Sequence, residues 1–86
     1  MKTVQQLLQE RGERYGDFAD VAATTEALMD VMHQGASWNT MPPTHKCALY
    51  MIANKIARAV NGDAMYDDNF KDIAGYAQLV VEQLEK

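Results

Sequence analysis

Residues 49–62 read LYMIANKIARAVNG, and their pattern indicates the fold class of the chain. Its apolar side chains recur three and four positions apart, which is the period of one face of an α-helix. Pro43 suits the first turn of such a helix, and Asn61-Gly62 suits its end. The apolar face of this predicted helix consists of Leu49, Ile52, Ala53, Ile56 and Val60.

The segment before it has the same helical period. Asp17 is a suitable N-cap and Gly35 a suitable stop for a second long helix, and Thr3 can cap a shorter helix that stops near Gly12. Residues 36–43 contain both prolines and are predicted to form a loop. The apolar stripe expected to face inward from the second helix consists of Phe18, Val21, Ala22, Thr25, Leu28, Met29 and Met32.

A last helix is predicted to begin at Asp67 or Asp68, where acidic residues complement the helix dipole. No stretch shows the alternating pattern of a strand. We therefore expect one all-α domain over residues 1–86, a small bundle of three longer helices and a short N-terminal one. The stripe expected to face inward from the last helix consists of Phe70, Ile73, Ala74, Ala77, Val80, Val81 and Leu84.

Composition narrows the function classes. The 12 acidic residues exceed the 8 basic ones, which disfavours binding to nucleic acid or an anionic membrane. No apolar run approaches the ~20 residues that span a bilayer, and the single Cys47 excludes an internal disulfide. We expect a cytoplasmic protein. Because a chain of 86 residues with six methionines builds only a small, soft core, we also expect a homo-oligomer.

Charge is distributed unevenly along the chain. No Asp or Glu occurs between Val31 and Gly62, so the third helix carries only basic charge. Lys55 and Arg58 lie three positions apart and project from the same side, where they can grip a phosphate. The alternative is that they form interhelical salt bridges with Asp68 and Asp72.

A second candidate anion site is the segment ERGERYGDF at residues 10–18. Two glycines allow a sharp turn there, and Arg11 and Arg14 can clamp an anion beside Tyr15. The alternative is a simple helix–helix joint in which Tyr15 and Phe18 pack into the core.

Two further aromatic residues are candidates for stacking on a base. Trp38 is either a lid over an aromatic ligand, an anchor at a subunit interface or a packed loop tip. Tyr76 is either a stacking platform or a residue at the edge of the core. Its neighbour Gly75 lies inside a helix, which indicates close approach of another helix or of a ligand.

These segments resemble a family of small uncharacterised proteins of phages and prophages. The residues that carry the resemblance are Glu10-Arg11-Gly12, Arg14-Tyr15-Gly16-Asp17-Phe18, Lys55-Ile56-Ala57-Arg58, Asn61-Gly62-Asp63, Asp67-Asp68-Asn69-Phe70 and Asp72-Ile73-Ala74-Gly75-Tyr76-Ala77. The last of these also resembles the final helix of the all-α nucleotide pyrophosphohydrolases, the MazG and dimeric dUTPase group. That group forms helical assemblies and hydrolyses nucleoside triphosphates with Mg²⁺.

The resemblance to the pyrophosphohydrolases implies a set of metal ligands. Those enzymes hold Mg²⁺ with E-x-x-E and E-x-x-D pairs, because Mg²⁺ prefers carboxylate oxygen. This chain has Asn69 and Asp72 at the second pair and lacks an E-x-x-E. The carboxylates left for a metal are Glu26, Asp30, Asp68 and Asp72.

The sequence supports one function hypothesis ahead of two others. The first is a non-catalytic binder of a small anionic nucleotide, needing no cofactor, which sequesters a nucleotide signal of host defence against phage. The alternatives are a divergent Mg²⁺-dependent pyrophosphohydrolase and a protein-interaction module that inhibits a host enzyme. The residues predicted to bind the nucleotide are Arg11, Arg14, Tyr15, Trp38, Lys55, Arg58, Asp72 and Tyr76.

Overall fold

The structure is a computed structural model that describes residues 1–86. It contains four α-helices, one short 3₁₀ helix and no strand, which confirms the predicted all-α class. None of the helices has the length and hydropathy needed to cross a membrane. The elements are α1 (Val4–Tyr15), α2 (Phe18–His33), the 3₁₀ helix (Trp38–Thr40), α3 (Pro43–Asn61) and α4 (Asp68–Leu84).

Local signals set the helix ends. At the start of α1, Thr3 and Gln6 form a capping box in which each side chain accepts a hydrogen bond from the other's backbone N–H. Asp17 caps α2 by accepting from the Ala19 N–H at 2.9 Å, as predicted. The prediction that α1 stops near Gly12 is wrong. Gly12 is tolerated inside the helix, which continues to Tyr15 and ends at Gly16, where φ is +89°.

Helix α3 is the centre of the fold, because both α2 and α4 pack against it. Its buried positions are mostly alanines, which let the neighbouring helices approach closely. Ala57 is fully buried, and on α2 the buried residues are Val21, Thr25 and Met29. The other residues buried on α3 are Ala48, Ala53, Lys55 and Ala59.

Several side chains predicted to face inward are exposed instead. Phe18, from the predicted stripe of α2, is 85% exposed. On α4 only Ile73 and Val80 of the predicted stripe are half-buried, because the helix turns residues 69, 73, 76 and 80 toward the rest of the chain. The remaining residues of that stripe, all exposed, are Phe70, Ala74, Ala77, Val81 and Leu84.

Candidate functional site

The site is built on a backbone crossing between the α1–α2 joint and the end of α3. Gly16 adopts φ +89° and ψ 176°, a conformation open almost only to glycine. A Cβ on Gly62 would lie 2.5 Å from the Arg14 carbonyl oxygen, so both positions exclude side chains. The Asp63 N–H donates to that same carbonyl at 2.9 Å. The crossing therefore fixes the last turn of α1 against the last turn of α3.

At this crossing, the ring of Tyr15 contacts the guanidinium groups of two arginines. The guanidinium carbon of Arg58, from α3, lies 4.7 Å from the centroid of the Tyr15 ring. That of Arg11, one turn earlier on α1, lies 5.1 Å from the same centroid. Both distances are typical of cation–π contacts, which orient a guanidinium without neutralising its charge.

A third cation–π contact lies beside these two. Tyr66, from the α3–α4 connection, packs edge-on against Tyr15 with centroids 5.7 Å apart, and Arg14 lies 5.2 Å from the Tyr66 centroid. The Tyr66 hydroxyl donates to Asp68 Oδ2 at 2.7 Å. This hydrogen bond to a carboxylate, with smaller effects of desolvation and of Tyr15, raises the pKa of Tyr66 above its ordinary value.

All three arginines of the chain meet at these two rings, and none of them has a carboxylate partner. Lysines form all the ion pairs of the chain, which are Lys2–Glu10, Lys55–Asp72 and Lys71–Asp67. Arg11, Arg14 and Arg58, which we call the arginine cluster, therefore keep their full charge available to an anion. The alternative prediction that Arg58 pairs with Asp68 or Asp72 is wrong.

A groove of about 370 Å³ opens next to the arginine cluster. Arg11 and Arg58 supply two positive charges and Asp17 one negative charge, and Asn54 supplies an amide whose nitrogen donates to Thr25 Oγ1 at 3.4 Å. Its apolar wall includes the exposed ring of Phe18. The other lining residues are Leu8, Gly12, Tyr15, Gly16 and Val21. A groove with cations on one side and apolar surface on the other suits a phosphorylated aromatic ligand.

Lys55 and Asp72 lie outside this groove and pair with each other. Lys55 Nζ is 3.2 Å from Asp72 Oδ2, and the lysine side chain is only 11% exposed whereas the aspartate is 49% exposed. For Lys55, the interhelical salt bridge is the arrangement that the structure contains. Asp72 and Tyr76 line a second, more open groove along α4, together with Gly75.

Trp38 lies at the other end of α2, a helix of 16 residues and so about 24 Å in length. Its ring stacks at a tilt on His33 with centroids 4.8 Å apart, and Lys46 Nζ lies 5.6 Å from its centroid. It lines an open, entirely apolar pocket of about 280 Å³ between α2 and α3. The structure does not bring Trp38 to the other predicted site residues.

The carboxylates named for a metal do not form a cluster. No group of three or more His, Cys, Asp or Glu side chains in the chain is arranged to hold a metal ion. Glu26 and Asp30 are exposed on α2, while Asp68 accepts from Tyr66 and Asp72 pairs with Lys55.

Two residues of the site were missed by the sequence reasoning. Tyr66 was not predicted to take part, although it is the one aromatic residue of the α3–α4 connection, 62–67. Phe18 was assigned to the core, and its exposure beside two arginines could not be read from a helical period. The one available signal was its position directly after the Gly16-Asp17 turn.

The model of a domain of unknown function, DUF6378, matches residues 1–84. This chain belongs to the DUF6378 family. Neither a curated protein nor a solved structure matches it significantly. The DUF6378 match runs from before α1 to the end of α4, so it includes every residue of the arginine cluster and of the groove.

Proposed function

We propose that this DUF6378 chain binds a nucleotide by its phosphate groups and holds it without chemical change. The observation that carries the proposal is the arginine cluster, three guanidinium groups without a carboxylate partner, oriented on Tyr15 and Tyr66 beside a groove. Arginine binds phosphate with two parallel hydrogen bonds, and its planar group stays charged at every physiological pH.

The two walls of the groove suit different parts of such a ligand. Phosphate groups lie at Arg11 and Arg58, where positive charge is held in place by the Tyr15 ring. The base lies against Phe18, since the Tyr15 ring is already engaged by two guanidinium groups and by the edge of Tyr66. Stacking of a base on an exposed aromatic ring contributes about 1–3 kcal/mol.

The biological role that we propose is sequestration of a nucleotide signal, such as a cyclic nucleotide, made by an infected bacterial host in defence against phage. Two features support this role. The first is that several segments of the chain resemble small phage and prophage proteins, and that Arg11, Arg14, Tyr15 and Arg58 lie in those segments. A sequestering protein needs only a site that binds, and the groove offers charge and apolar surface for that purpose.

The test is incubation of the full chain with a panel of nucleotides, with and without Mg²⁺. The panel contains nucleoside triphosphates, cyclic di- and trinucleotides and cyclic ADP-ribose forms. After filtration, the flow-through and the denatured protein fraction are separated by anion-exchange chromatography. We expect one nucleotide class to disappear from the flow-through and to return intact on denaturation. Conversion that requires Mg²⁺ would establish the pyrophosphohydrolase alternative, and no retention in any sample would refute binding.

Variants then locate the binding site. Arg58→Gln should weaken binding of the retained nucleotide by about tenfold or more, because one charge-assisted phosphate contact is lost. Lys86→Gln is the matched control, since it removes one positive charge from an exposed residue that forms no ion pair. Equal affinity of both variants would show that the nucleotide binds elsewhere. The melting temperature of each variant confirms that the fold is retained.

A further inference from the structure

The outer side of α4 carries a continuous apolar stripe. The rest of the chain buries none of its residues. Its members follow one another at intervals of four, three, four and three residues, and none is charged. The large residues at its two ends are strongly exposed, Phe70 by 58% and Leu84 by 69%. We call this stripe the α4 seam; it consists of Phe70, Ala74, Ala77, Val81 and Leu84.

The seam is distinct from the face that α4 uses within the chain. Asn69, Ile73, Tyr76 and Val80 are the buried or half-buried residues of the helix, and they lie about a quarter-turn away from the seam. Apolar residues at alternating intervals of three and four are typical of a helix that pairs lengthwise with a second helix. The α4 seam therefore has the pattern of an interface but no partner within its own chain.

The accessible surface of the chain is larger than that of a typical folded monomer of the same mass. The chain exposes 6204 Å², whereas a folded monomer of 9.6 kDa exposes about 5,100 Å². Its radius of gyration is 14.7 Å against about 12 Å for a compact chain of this length. The excess, about 1,100 Å², belongs to the whole chain and includes the surface of α1, which buries none of its residues. It exceeds the roughly 800 Å² that each partner loses in a stable complex of standard size.

We propose that the α4 seam binds the seam of a second copy of this chain, with the two helices antiparallel and the twofold axis at Ala77. In a twofold interface each contact occurs twice, so residues equally distant from the axis meet. Ala77 then meets the partner's Ala77, and Phe70 meets the partner's Leu84. Small residues at the centre let the helices approach closely, and a large residue at each end fills the remaining space.

Charge beside the seam selects the antiparallel orientation. Lys71, Gln78 and Glu85 occupy one flank of the seam at intervals of seven residues. With the twofold axis at Ala77, Lys71 lies level with the partner's Gln83 and about 3 Å along the helix axis from the partner's Glu85, within reach of their long side chains. Charged pairs in flanking positions set the orientation of paired helices. In a parallel pair this flank would instead face the partner's opposite flank, which carries Ile73 and Val80, so Lys71 would have no carboxylate opposite it.

This dimer goes beyond the proposed nucleotide site and does not depend on it. The seam residues contribute nothing to the groove beside the arginine cluster, and Gly75, Tyr76 and the second groove lie on other sides of α4. A failure of nucleotide binding therefore leaves the dimer untouched, and the reverse also holds.

The first test is the mass of the full chain in solution by sedimentation equilibrium. We expect twice the 9.6 kDa of one chain for the native sequence. Ala77→Lys places two like charges at the twofold axis and should weaken dimerisation by about a hundredfold or more. Ala27→Lys is the matched control, because it makes the same change at an exposed position of α2 and should leave the dimer intact. A monomeric native chain, or a dimer unaffected by Ala77→Lys, would overturn the proposal.

The second test addresses orientation with surface substitutions that leave the seam intact. Lys71→Glu and Glu85→Lys should each weaken self-association by about threefold or more at low salt, because like charges then face each other. A mixture of the two variants should dimerise at least as well as the native chain, since every flanking pair is then of opposite charge. Equal weakness of the mixture and the single variants would exclude the antiparallel arrangement, even if Ala77→Lys had failed to fold.

Discussion

Gly16 and Gly62 cross each other backbone to backbone, and a Cβ on Gly62 would lie 2.6 Å from the Gly16 backbone nitrogen. We expect Gly62→Ala to lower the free energy of unfolding by about 2 kcal/mol or more, because the atoms that crowd the new methyl group are backbone. Gly16→Ala should cost at least as much, since its positive φ adds strain to the same crowding. Chemical denaturation measures both. Unchanged stability in either variant would mean that the two segments do not cross as described.

Gly75, on α4, has open space around it, unlike Gly16 and Gly62. A Cβ at this position meets nothing within 4 Å, so the helix carries a glycine without a packing reason inside the chain. Gly75→Ala should raise the free energy of unfolding by about 0.5–1 kcal/mol, the ordinary difference between the two residues in a helix. The same denaturation experiment measures it. A loss of stability would indicate a close neighbour at Gly75 that a single chain lacks.

The Lys55–Asp72 pair should respond unequally to removal of its two members. Asp72→Asn leaves the buried lysine charge without its anion and should cost about 1–3 kcal/mol of stability. Lys55→Met keeps the length of the side chain and leaves a half-exposed aspartate that water can solvate, so it should cost less than about 1 kcal/mol. Urea denaturation of both variants gives the comparison. Equal losses would show that the pair acts mainly through attraction rather than through the burial of Lys55.

The raised pKa of Tyr66 predicts that the chain loses folding stability at alkaline pH. Its pKa is raised in the folded chain, chiefly by the hydrogen bond to Asp68, so folding favours the neutral phenol. Its contribution is complete below the ordinary tyrosine pKa and is lost as the pH rises through the raised pKa. Asp68→Asn should bring the pKa of Tyr66 back toward its ordinary value. NMR titration of labelled tyrosine rings, with Tyr66→Phe for assignment, checks this; an unchanged pKa in Asp68→Asn would assign the shift to another neighbour.

Helix boundaries could be predicted from the sequence because their signals are local. The cap at Asp17 and the proline at Pro43 act within one turn of the residues they order, and both helices begin where expected. Gly12 misled the prediction for α1, since a glycine inside an exposed helix and a glycine that ends one look alike in sequence. The stop at Gly16 depends on the crossing with Gly62, which is 46 residues away in sequence and invisible to local signals.

Two features were harder to predict than the helix boundaries. They are the buried face of each helix and the contacts of the arginines. The period of α4 identified a stripe of seven apolar residues but could not separate those that face the same chain from those in the α4 seam. Likewise, one of the two interpretations of Arg58 placed it near the carboxylates of α4, which follow closely in sequence. The structure places it on Tyr15, from a helix that precedes α3 by the whole length of α2.

Helix α1 buries none of its twelve residues, and its firm attachment is the crossing at its C-terminal end. An isolated helix of this length is only marginally stable in water. Arg11 and Arg14 are nevertheless supplied by this helix, so a ligand binds well only to the fraction of molecules in which α1 is formed. The measured dissociation constant is then the intrinsic one divided by that fraction. Substitutions that favour helix on the outer side of α1 would tighten binding without touching the ligand.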